Sequence, residues 1–228
     1  MTSDKTKIIV SGMRPTGPPH LGHYHGVIAN LVQLQNDPGF DQKYFFVADW
    51  HALTTEYDNS HALKGYIEDI VLDWLAFGVD PAKAIIFVQS AVPEHAELQL
   101  LLSMITPVAW LERVHSYKDM QQELSNKDLS TYGFLGYPLL QTADVAIYNG
   151  THVPVGQDQV AHIELSREIV RRFNFIYKTD LLKEPQPLLT QTPKLPGTDG
   201  RKMSKSYNNG VFLSESAETA GKKIMTAM

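Results

Sequence analysis

The sequence has 228 residues, of which 43% are apolar and 20% charged, and it contains no cysteine. This length and composition predict one large globular domain, and the lack of cysteine excludes disulfides and thiolate-based metal or redox sites. No apolar run reaches the ~18–20 residues that a membrane-spanning helix needs, and the N-terminus lacks a signal-peptide pattern. We therefore expect a cytoplasmic protein with no membrane partner.

Charge is distributed unevenly along the chain. Residues 1–166 carry nine basic and nineteen acidic side chains, a net charge of −10, whereas residues 167–228 carry eleven basic and six acidic ones, a net charge of +5. The excess of basic residues in the C-terminal segment 167–228 indicates an anionic ligand near that segment, although a solvated surface would give the same count. The helical pattern from residue 217 onward has no stop signal before the chain ends.

Apolar periodicity predicts alternating strands and helices. Three buried strands are predicted: one ending at Gly12, one over residues 43–48 that ends at 49–51, and one over residues 84–88. Helices are predicted at about 20–35, 60–77, 94–104, 107–115, 134–142 and 158–173. Residues 116–133 are predicted to be a polar surface helix-and-loop excursion, residues 143–148 a strand or a helix end, and residues 184–210 mostly loop.

This alternation predicts an α/β fold, a parallel sheet with helices on both faces. Ligands bind such sheets at the carboxyl ends of the strands, so the ends at Gly12, Asp49 and Gln89 should converge on one crevice. Neither a G-x-G-x-x-G nor a G-x-x-x-x-G-K phosphate loop is present. The phosphates of a nucleotide would therefore have to be bound by a different element of the chain.

The first candidate for chemistry is a histidine pair in the segment 18–23. His20 and His23 lie three residues apart at a predicted helix start, so both rings can face one point where free N–H groups favour phosphate. The alternative is an exposed pair with no ligand, which the spacing alone favours. A metal site is a poorer match because no carboxylate lies at suitable spacing.

The second candidate is the glycine-bounded loop 200–210. Lys202 and Lys205 are point charges that could close over a polyphosphate, although most such loops are simply solvated surface.

Two further segments could contact a ligand. In the segment 153–159, Gly156 would allow close contact with a ring or sugar of a ligand. Asp158 could accept hydrogen bonds from ribose hydroxyl groups, or it could serve as an ordinary helix N-cap. Asp144 lies among apolar residues, so its carboxylate needs a donor from the protein or from a ligand N–H.

Together these motifs carry a family resemblance. His20-Leu-Gly-His23 resembles the HIGH signature of class I aminoacyl-tRNA synthetases, and residues 202–206 are their KMSKS signature letter for letter. The two occur in the family's order, about 180 residues apart. With the segments 11–17, 137–144, 153–159 and 162–169, the sequence is similar from about residue 8 onward to bacterial tryptophanyl-tRNA synthetases. Tyrosyl-tRNA synthetases are the main alternative.

For the architecture, the resemblance implies a Rossmann-like, doubly wound parallel sheet over residues 1–228, the catalytic domain of a class I synthetase. An insertion and dimer-interface region is expected at about 80–135, and the KMSKS loop at about 195–210. A homodimer is implied. Family members continue into a helical anticodon-binding domain, so the unfinished final helix leads us to expect that this domain is absent or truncated.

For the activity, the resemblance implies ATP-dependent conversion of L-tryptophan to tryptophanyl-adenylate with pyrophosphate release, then transfer to tRNA(Trp). His20 and His23 would bond phosphate oxygens, while Lys202 and Lys205 would follow the leaving pyrophosphate. Mg²⁺ would be held by the ATP phosphates rather than by a protein metal site. The implied ATP contacts are Arg14, Pro15, Thr16, Gly22, His23, Gly156, Gln157, Asp158, Leu195, Lys202, Met203, Ser204, Lys205 and Ser206.

For tryptophan, the resemblance implies that Asp144 accepts the indole N–H and that Gln159 assists at the amino group. A buried acceptor left unpaired would reject phenylalanine strongly, whereas an apolar pocket alone separates close shapes by only ~1–3 kcal/mol. The other implied pocket residues are Val10, Gly12, His51, Gln141, Val153 and Val155.

The sequence departs from the family pattern at three positions. Tryptophanyl enzymes often carry Thr and Asn where this chain has His20 and His23, and many carry Met where it has Gln141.

Two other classes of function remain open: a catalytically silent tryptophan- or nucleotide-binding protein, and a small nucleotidyltransferase of the HxGH type. Both signature lysines argue against the first, and the complete KMSKS segment argues against the second.

Overall fold

The computed structural model describes residues 6–113, 129–190, 195–201, 203–204, 207 and 209–227. Most of the predicted excursion at 116–133 lies outside the described residues, and so do Lys202, Lys205 and Ser206.

Five parallel strands form one sheet. They are β1 (Ile8–Met13), β2 (Gln42–Val47), β3 (Ile85–Val88), β4 (His152–Val155) and β5 (Gln186–Leu189). Their spatial order is β3-β2-β1-β4-β5, and each neighbouring pair is parallel. The chain builds outward from β1 to β3, then returns to the other side of β1 for β4. This order is that of a doubly wound, Rossmann-like sheet, so the predicted fold class is confirmed.

Helices connect and cover the strands. They are α1 (Leu21–His23), α2 (Ala29–Gln35), α3 (Asp49–Glu56), α4 (Leu63–Ala76), α5 (Glu94–Ser103), α6 (Val108–Glu112), α7 (Tyr132–Ala146), α8 (Val160–Tyr177) and α9 (Ala217–Ala227). A π-helical turn, Tyr24–Ile28, joins α1 to α2, so the predicted helix at 20–35 forms as one continuous element. No helix in the described ranges is long and apolar enough to cross a membrane.

One sequence-based assignment was wrong: Asp49, predicted at the end of a strand, begins α3, whose eight residues are too few to show a clear helical period. The segment 143–148, predicted as a strand or a helix end, is the end of α7, which runs through Pro138 to Ala146. The described part of the segment 184–210 is mostly loop, as predicted, but it contains the short strand β5. The proline in this strand is tolerated because β5 is an edge strand. The strand β4 was not predicted either.

The core lies on both faces of the sheet because alternate residues of a strand point in opposite directions. On one face, Ile9 and Phe45 pack with Trp74 of α4 in a cluster of buried residues that also includes α2. On the other face, Val10 packs with Ile163 of α8 in a second cluster. All five of these apolar side chains are at most 1% exposed, and the two clusters fix the strands whose ends form the site.

Candidate active site

The carboxyl ends of β1 and β4 mark the switch point of the sheet. The two strands are neighbours, but the connection from β1 runs towards β2 on one side, while the connection from β4 runs towards β5 on the other. A crevice forms where connections diverge in this way, and ligands of doubly wound folds bind there. The segment carrying His20 and His23 follows β1, and the turn Gln157–Gln159 follows β4. Two of the predicted ligand segments thus flank the same crevice.

His20 and His23 pack against each other, with ring centroids 3.8 Å apart. His20 is the N-cap of α1: its Nδ1 accepts the backbone N–H of Gly22 at 3.0 Å. The backbone N–H of His20 in turn donates to Nδ1 of His23 at 3.1 Å. Because each Nδ1 acts as an acceptor, each neutral ring carries its proton on Nε2. The capping geometry therefore makes Nε2 of both rings an N–H donor.

Gly22 is needed for this arrangement. A Cβ atom at residue 22 would lie 2.8 Å from Cε1 of His20, since the ring folds back over the backbone. His20 is only 6% exposed, so the interpretation as a solvent-exposed pair was wrong for this residue.

The segment that follows the KMSKS motif lies directly on the HIGH-like segment. Leu21 donates its backbone N–H to the carbonyl of Val211, and Leu213 donates to the carbonyl of Pro19, both at 3.0 Å. Gly210 faces the ring of His20, where a Cβ atom at residue 210 would be in ordinary contact at 3.6 Å. The HIGH-like segment and the segment that directly follows the KMSKS motif, far apart in sequence, therefore meet at the switch point.

A buried asparagine organises the described part of the KMSKS loop. Asn209 is 2% exposed; its Oδ1 accepts the N–H of Ser204 at 2.8 Å and its Nδ2 donates to Asp199 at 2.7 Å. Met203 is also buried, and its N–H donates to the carbonyl of Leu195 at 2.9 Å. The hydrogen bond from Asn209, assisted by Arg201, lowers the pKa of Asp199 below its ordinary value. Sequence reasoning missed Asn209 because no local pattern distinguishes it from a surface loop residue.

Asp144 is the centre of a buried polar network. The carboxylate is 2% exposed; Oδ2 lies 2.8 Å from Nε2 of His51, and Oδ1 lies 2.7 Å from Nδ1 of His95. Oδ1 also accepts an N–H from Gln89 Nε2 at 2.7 Å. Burial disfavours the charge, but the hydrogen bonds and charges of the two histidines outweigh it and lower the pKa of Asp144. The carboxylate is therefore ionised, and each of these groups donates to it.

The strand ends converge as the sequence predicted. Asp49 accepts the backbone N–H of Ser90 at 3.0 Å, and Gln89 accepts that of Trp50 at 3.1 Å, which locks the start of α3 to the end of β3. Gly12 lies on β1, next to β2, where a Cβ atom at residue 12 would meet the ring of Phe46 at 2.8 Å or less. The need for donors at Asp144 was predicted, but its partners Gln89 and His95 were missed.

The remaining predicted pocket residues fall into two groups. Val10, Val153 and Val155 are buried in a shared apolar cluster. Gln159 is half-buried and donates from Nε2 to Asp158 at 3.0 Å, and Gln141 on α7 is also half-buried. The three valines are thus part of the core, while the two glutamines remain partly accessible.

Tyr137 and His162 form a further pair that sequence reasoning did not single out as functional. The Tyr137 hydroxyl lies 2.5 Å from Nε2 of His162, and the Tyr137 ring centroid is 6.5 Å from that of His51. Burial lowers the pKa of His162, which keeps the ring neutral. The pair connects α8 to α7 beside the Asp144 network.

The described residues contain no group of three or more His, Asp or Glu side chains arranged to hold a metal ion. Among these residues, the polar groups near the switch point include the N–H donors of His20 and His23 and the buried carboxylates of Asp49 and Asp144.

Fold and site together define a doubly wound α/β protein whose switch point is lined by donors suited to an anionic ligand. Residues 2–228 match the family of class I tRNA synthetases for tryptophan and tyrosine (W and Y). The chain therefore belongs to this family of class I aminoacyl-tRNA synthetases.

Individual relatives agree with this assignment. Tryptophan--tRNA ligase of Thermotoga maritima is 56% identical over 220 residues, covering 96% of this chain and 66% of the relative. The same enzyme of Aquifex aeolicus is 45% identical, covering 95% and 71%. A crystal structure of tryptophanyl-tRNA synthetase from Campylobacter jejuni with ADP and tryptophan superposes with a TM-score of 0.87 at 33% identity, covering 97% and 67%.

Tyrosyl enzymes share the fold at lower identity. Tyrosyl-tRNA synthetase from Archaeoglobus fulgidus, solved with L-tyrosine, gives a TM-score of 0.77 at 25% identity, covering 98% of this chain and 66% of that one. The chain spans about two thirds of the length of the relatives that it matches.

Proposed function

We propose that this chain is the catalytic portion of a tryptophan--tRNA ligase. It uses ATP to convert L-tryptophan to tryptophanyl-adenylate with release of pyrophosphate, then transfers the tryptophanyl group to tRNA(Trp). The observation that carries the proposal is the backbone pairing of residues 19–21 with 211–213, which brings the HIGH-like segment and the segment that directly follows the KMSKS motif to one crevice. Sequence identity supports tryptophan over tyrosine, at 56% with a tryptophanyl relative against 25% with a tyrosyl one.

In the activation step, a carboxylate oxygen of tryptophan forms a bond to the α-phosphorus of ATP. The bond from that phosphorus to the oxygen bridging to the β-phosphate breaks, and pyrophosphate leaves with Mg²⁺, which enters as the complex with ATP. Such a transfer is accelerated mainly by positioning and by stabilisation of charge. The Nε2–H groups of His20 and His23 supply fixed donors to phosphate oxygens, and the side chains of Lys202 and Lys205 supply positive charge for the pyrophosphate.

The nucleotide lies between the two loops at the switch point. The backbone of Arg14, Pro15 and Thr16 after β1, together with Gly22, shapes one side. Gly156, Gln157 and Asp158 after β4 hold the adenosine and ribose on the other side. Leu195, whose carbonyl is bonded to Met203, lines the adenine edge.

The amino acid lies beside the nucleotide, against Val10, Val153 and Val155. Asp144 accepts the indole N–H, since the network around it keeps the carboxylate ionised in a buried site. Gln159 assists at the amino group, with Gly12, His51 and Gln141 completing the pocket. Because a buried acceptor left unpaired carries a large penalty, phenylalanine is rejected.

The partners follow from the same proposal. Transfer of the tryptophanyl group requires tRNA(Trp), and we infer a homodimer in the cytoplasm with the region 80–135 at its interface.

Tryptophan-dependent exchange of labelled pyrophosphate into ATP tests the proposal, run side by side with tyrosine. We expect exchange with tryptophan alone, and its loss in Lys205→Ala. The matched control is Lys222→Ala, which removes an exposed lysine paired with Glu218 on α9 and should leave exchange unchanged. Exchange supported by tyrosine would instead assign the chain to the tyrosyl enzymes. Tight tryptophan binding in calorimetry without exchange would identify a catalytically silent binding protein.

A further inference from the structure

His95 is a buried histidine that the proposed function does not use. It lies in the first turn of α5 and is 0% exposed, yet both ring nitrogens are hydrogen-bonded. Its Nδ1 lies 2.7 Å from Asp144 Oδ1, and its Nε2 lies 2.8 Å from the hydroxyl of Tyr148. No step proposed above uses either His95 or Tyr148.

The ionised carboxylate fixes the direction of the hydrogen bond between His95 and Asp144. Asp144 can only accept, so His95 donates from Nδ1, and the other ring nitrogen, Nε2, is hydrogen-bonded to the hydroxyl of Tyr148. Burial, with a smaller contribution from the charge of Asp144, raises the pKa of Tyr148 to about 12, so that the hydroxyl keeps its proton. Tyr148 is itself held by stacking on Tyr44, with ring centroids 4.5 Å apart. A series of hydrogen bonds therefore links Tyr148 through His95 to Asp144.

The two oxygens of Asp144 have different surroundings. Oδ1 accepts from His95 and Gln89, and both of these residues are 0% exposed. Oδ2 accepts from His51, whose side chain is 11% exposed. A carboxylate oxygen has about two acceptor positions, so Oδ1 is fully used inside the protein, while Oδ2 faces the accessible side.

We propose that His95 is a positioning residue for amino-acid specificity: by saturating Oδ1 of Asp144, it turns Oδ2 and His51 towards the substrate N–H. The inference rests on the proposed function, because it assigns the origin of the selectivity for tryptophan within that site. Without His95, the carboxylate can rotate or take up a proton, and either change weakens its preference for a substrate that carries an N–H group.

The experiment compares L-tryptophan with L-3-benzothienylalanine, in which sulfur replaces the indole N–H at nearly constant shape. Pyrophosphate exchange gives kcat/KM for each amino acid. We expect the unaltered chain to prefer tryptophan roughly 10- to 100-fold, since the analogue leaves a charged acceptor unpaired. In His95→Leu, kcat/KM for tryptophan should fall by nearly that factor, while kcat/KM for the analogue and KM for ATP change less than about threefold.

Two further variants separate positioning from general damage. His95→Asn keeps an N–H donor near the position of Nδ1 and should recover most of the preference for tryptophan. His61→Leu makes the same chemical change as His95→Leu at an exposed position on another element and should alter neither substrate. If His95→Leu does not fold, Tyr148→Phe removes only the hydroxyl bonded to His95 and should reduce the preference several-fold.

The outcomes are distinguishable. An equal loss for both amino acids, or an unchanged preference in a folded His95 variant, overturns the inference and leaves the proposed function intact. An unaltered chain that does not prefer tryptophan over the analogue removes the role of Asp144 and this inference with it. An unaltered chain with no tryptophan-dependent exchange removes the proposed function itself.

Discussion

Gly197→Ala is a small change whose effect should be concentrated in the KMSKS loop. A Cβ atom at residue 197 would lie 2.8 Å from Oδ1 of Asn209 and closer still to the rest of that amide. Asn209 cannot retreat freely, because its side chain bonds Ser204 and Asp199 and its carbonyl accepts the N–H of Thr198 at 2.9 Å. Steric displacement of Asn209 must therefore break the hydrogen bonds that close the loop.

The size of the effect follows from the bonds lost. Displacing Asn209, which is 2% exposed, separates a buried amide from Ser204 and Asp199, and an unsatisfied buried polar group costs about 1–3 kcal/mol. Partial relaxation of the loop around Asn209 would reduce this free-energy cost. We expect kcat/KM for ATP to fall about 10- to 100-fold, with KM for tryptophan unchanged, because the loop lies apart from the amino-acid pocket. The melting temperature should change little, since the loop contributes few buried apolar contacts.

Pyrophosphate exchange at varied ATP concentration measures this effect, with thermal unfolding recorded in parallel. Gly221→Ala is the matched control: it lies in α9 with open space around its Cβ position, and should raise stability by up to about 1 kcal/mol without altering ATP kinetics. Asn209→Ala removes the obstructing amide, so the double variant Gly197→Ala/Asn209→Ala should be no worse than Asn209→Ala alone. Additive losses, or normal ATP kinetics in Gly197→Ala, would refute the steric reasoning.

Two other predictions concern His20 and Asp144. His20→Asn keeps a side-chain acceptor for the N–H of Gly22, so in urea unfolding it should be about 1 kcal/mol more stable than His20→Ala. Both variants should lose roughly 100-fold in kcat for pyrophosphate exchange. Equal stability of the two variants would contradict the capping role. The lowered pKa of Asp144 stabilises the fold fully above the unfolded value of about 3.9 and progressively less as pH falls through the folded pKa. Urea unfolding between pH 2 and 6 should thus show a steeper acid loss than in Asp144→Asn; parallel curves would exclude this linkage.

The sequence predicted the strands β1, β2 and β3 and the signature segments because their signals are local. Residues 43–48 form an apolar run of strand length, and His20 with His23 lies at a recognisable junction of strand and helix. The four-residue strand β5 was missed because its proline is typical of a loop, although an edge strand accommodates it. Such a short strand is defined by its partner β4 rather than by its own residues.

The support around the site could not be read from local patterns. Asp144 was correctly predicted to need donors, but His95 lies 49 residues away in the chain and Gln89 lies 55 away. Only the folded sheet brings them to one carboxylate. Asn209 was missed for the same reason, since its importance depends on the absence of a side chain at Gly197.

The pairing of residues 19–21 with 211–213 has a consequence for how the protein is made. Leu21 and Val211 are about 190 residues apart, so the contact between the HIGH-like segment and the residues that follow the KMSKS motif has a very large sequence separation. On the ribosome, strands β1 to β3 can emerge and pair long before residue 211 is synthesised, because chains are made from the N-terminus. The contact between residues 19–21 and 211–213 therefore forms late in translation, and a nascent chain that stalls before residue 211 lacks it even where strands β1 to β3 have paired.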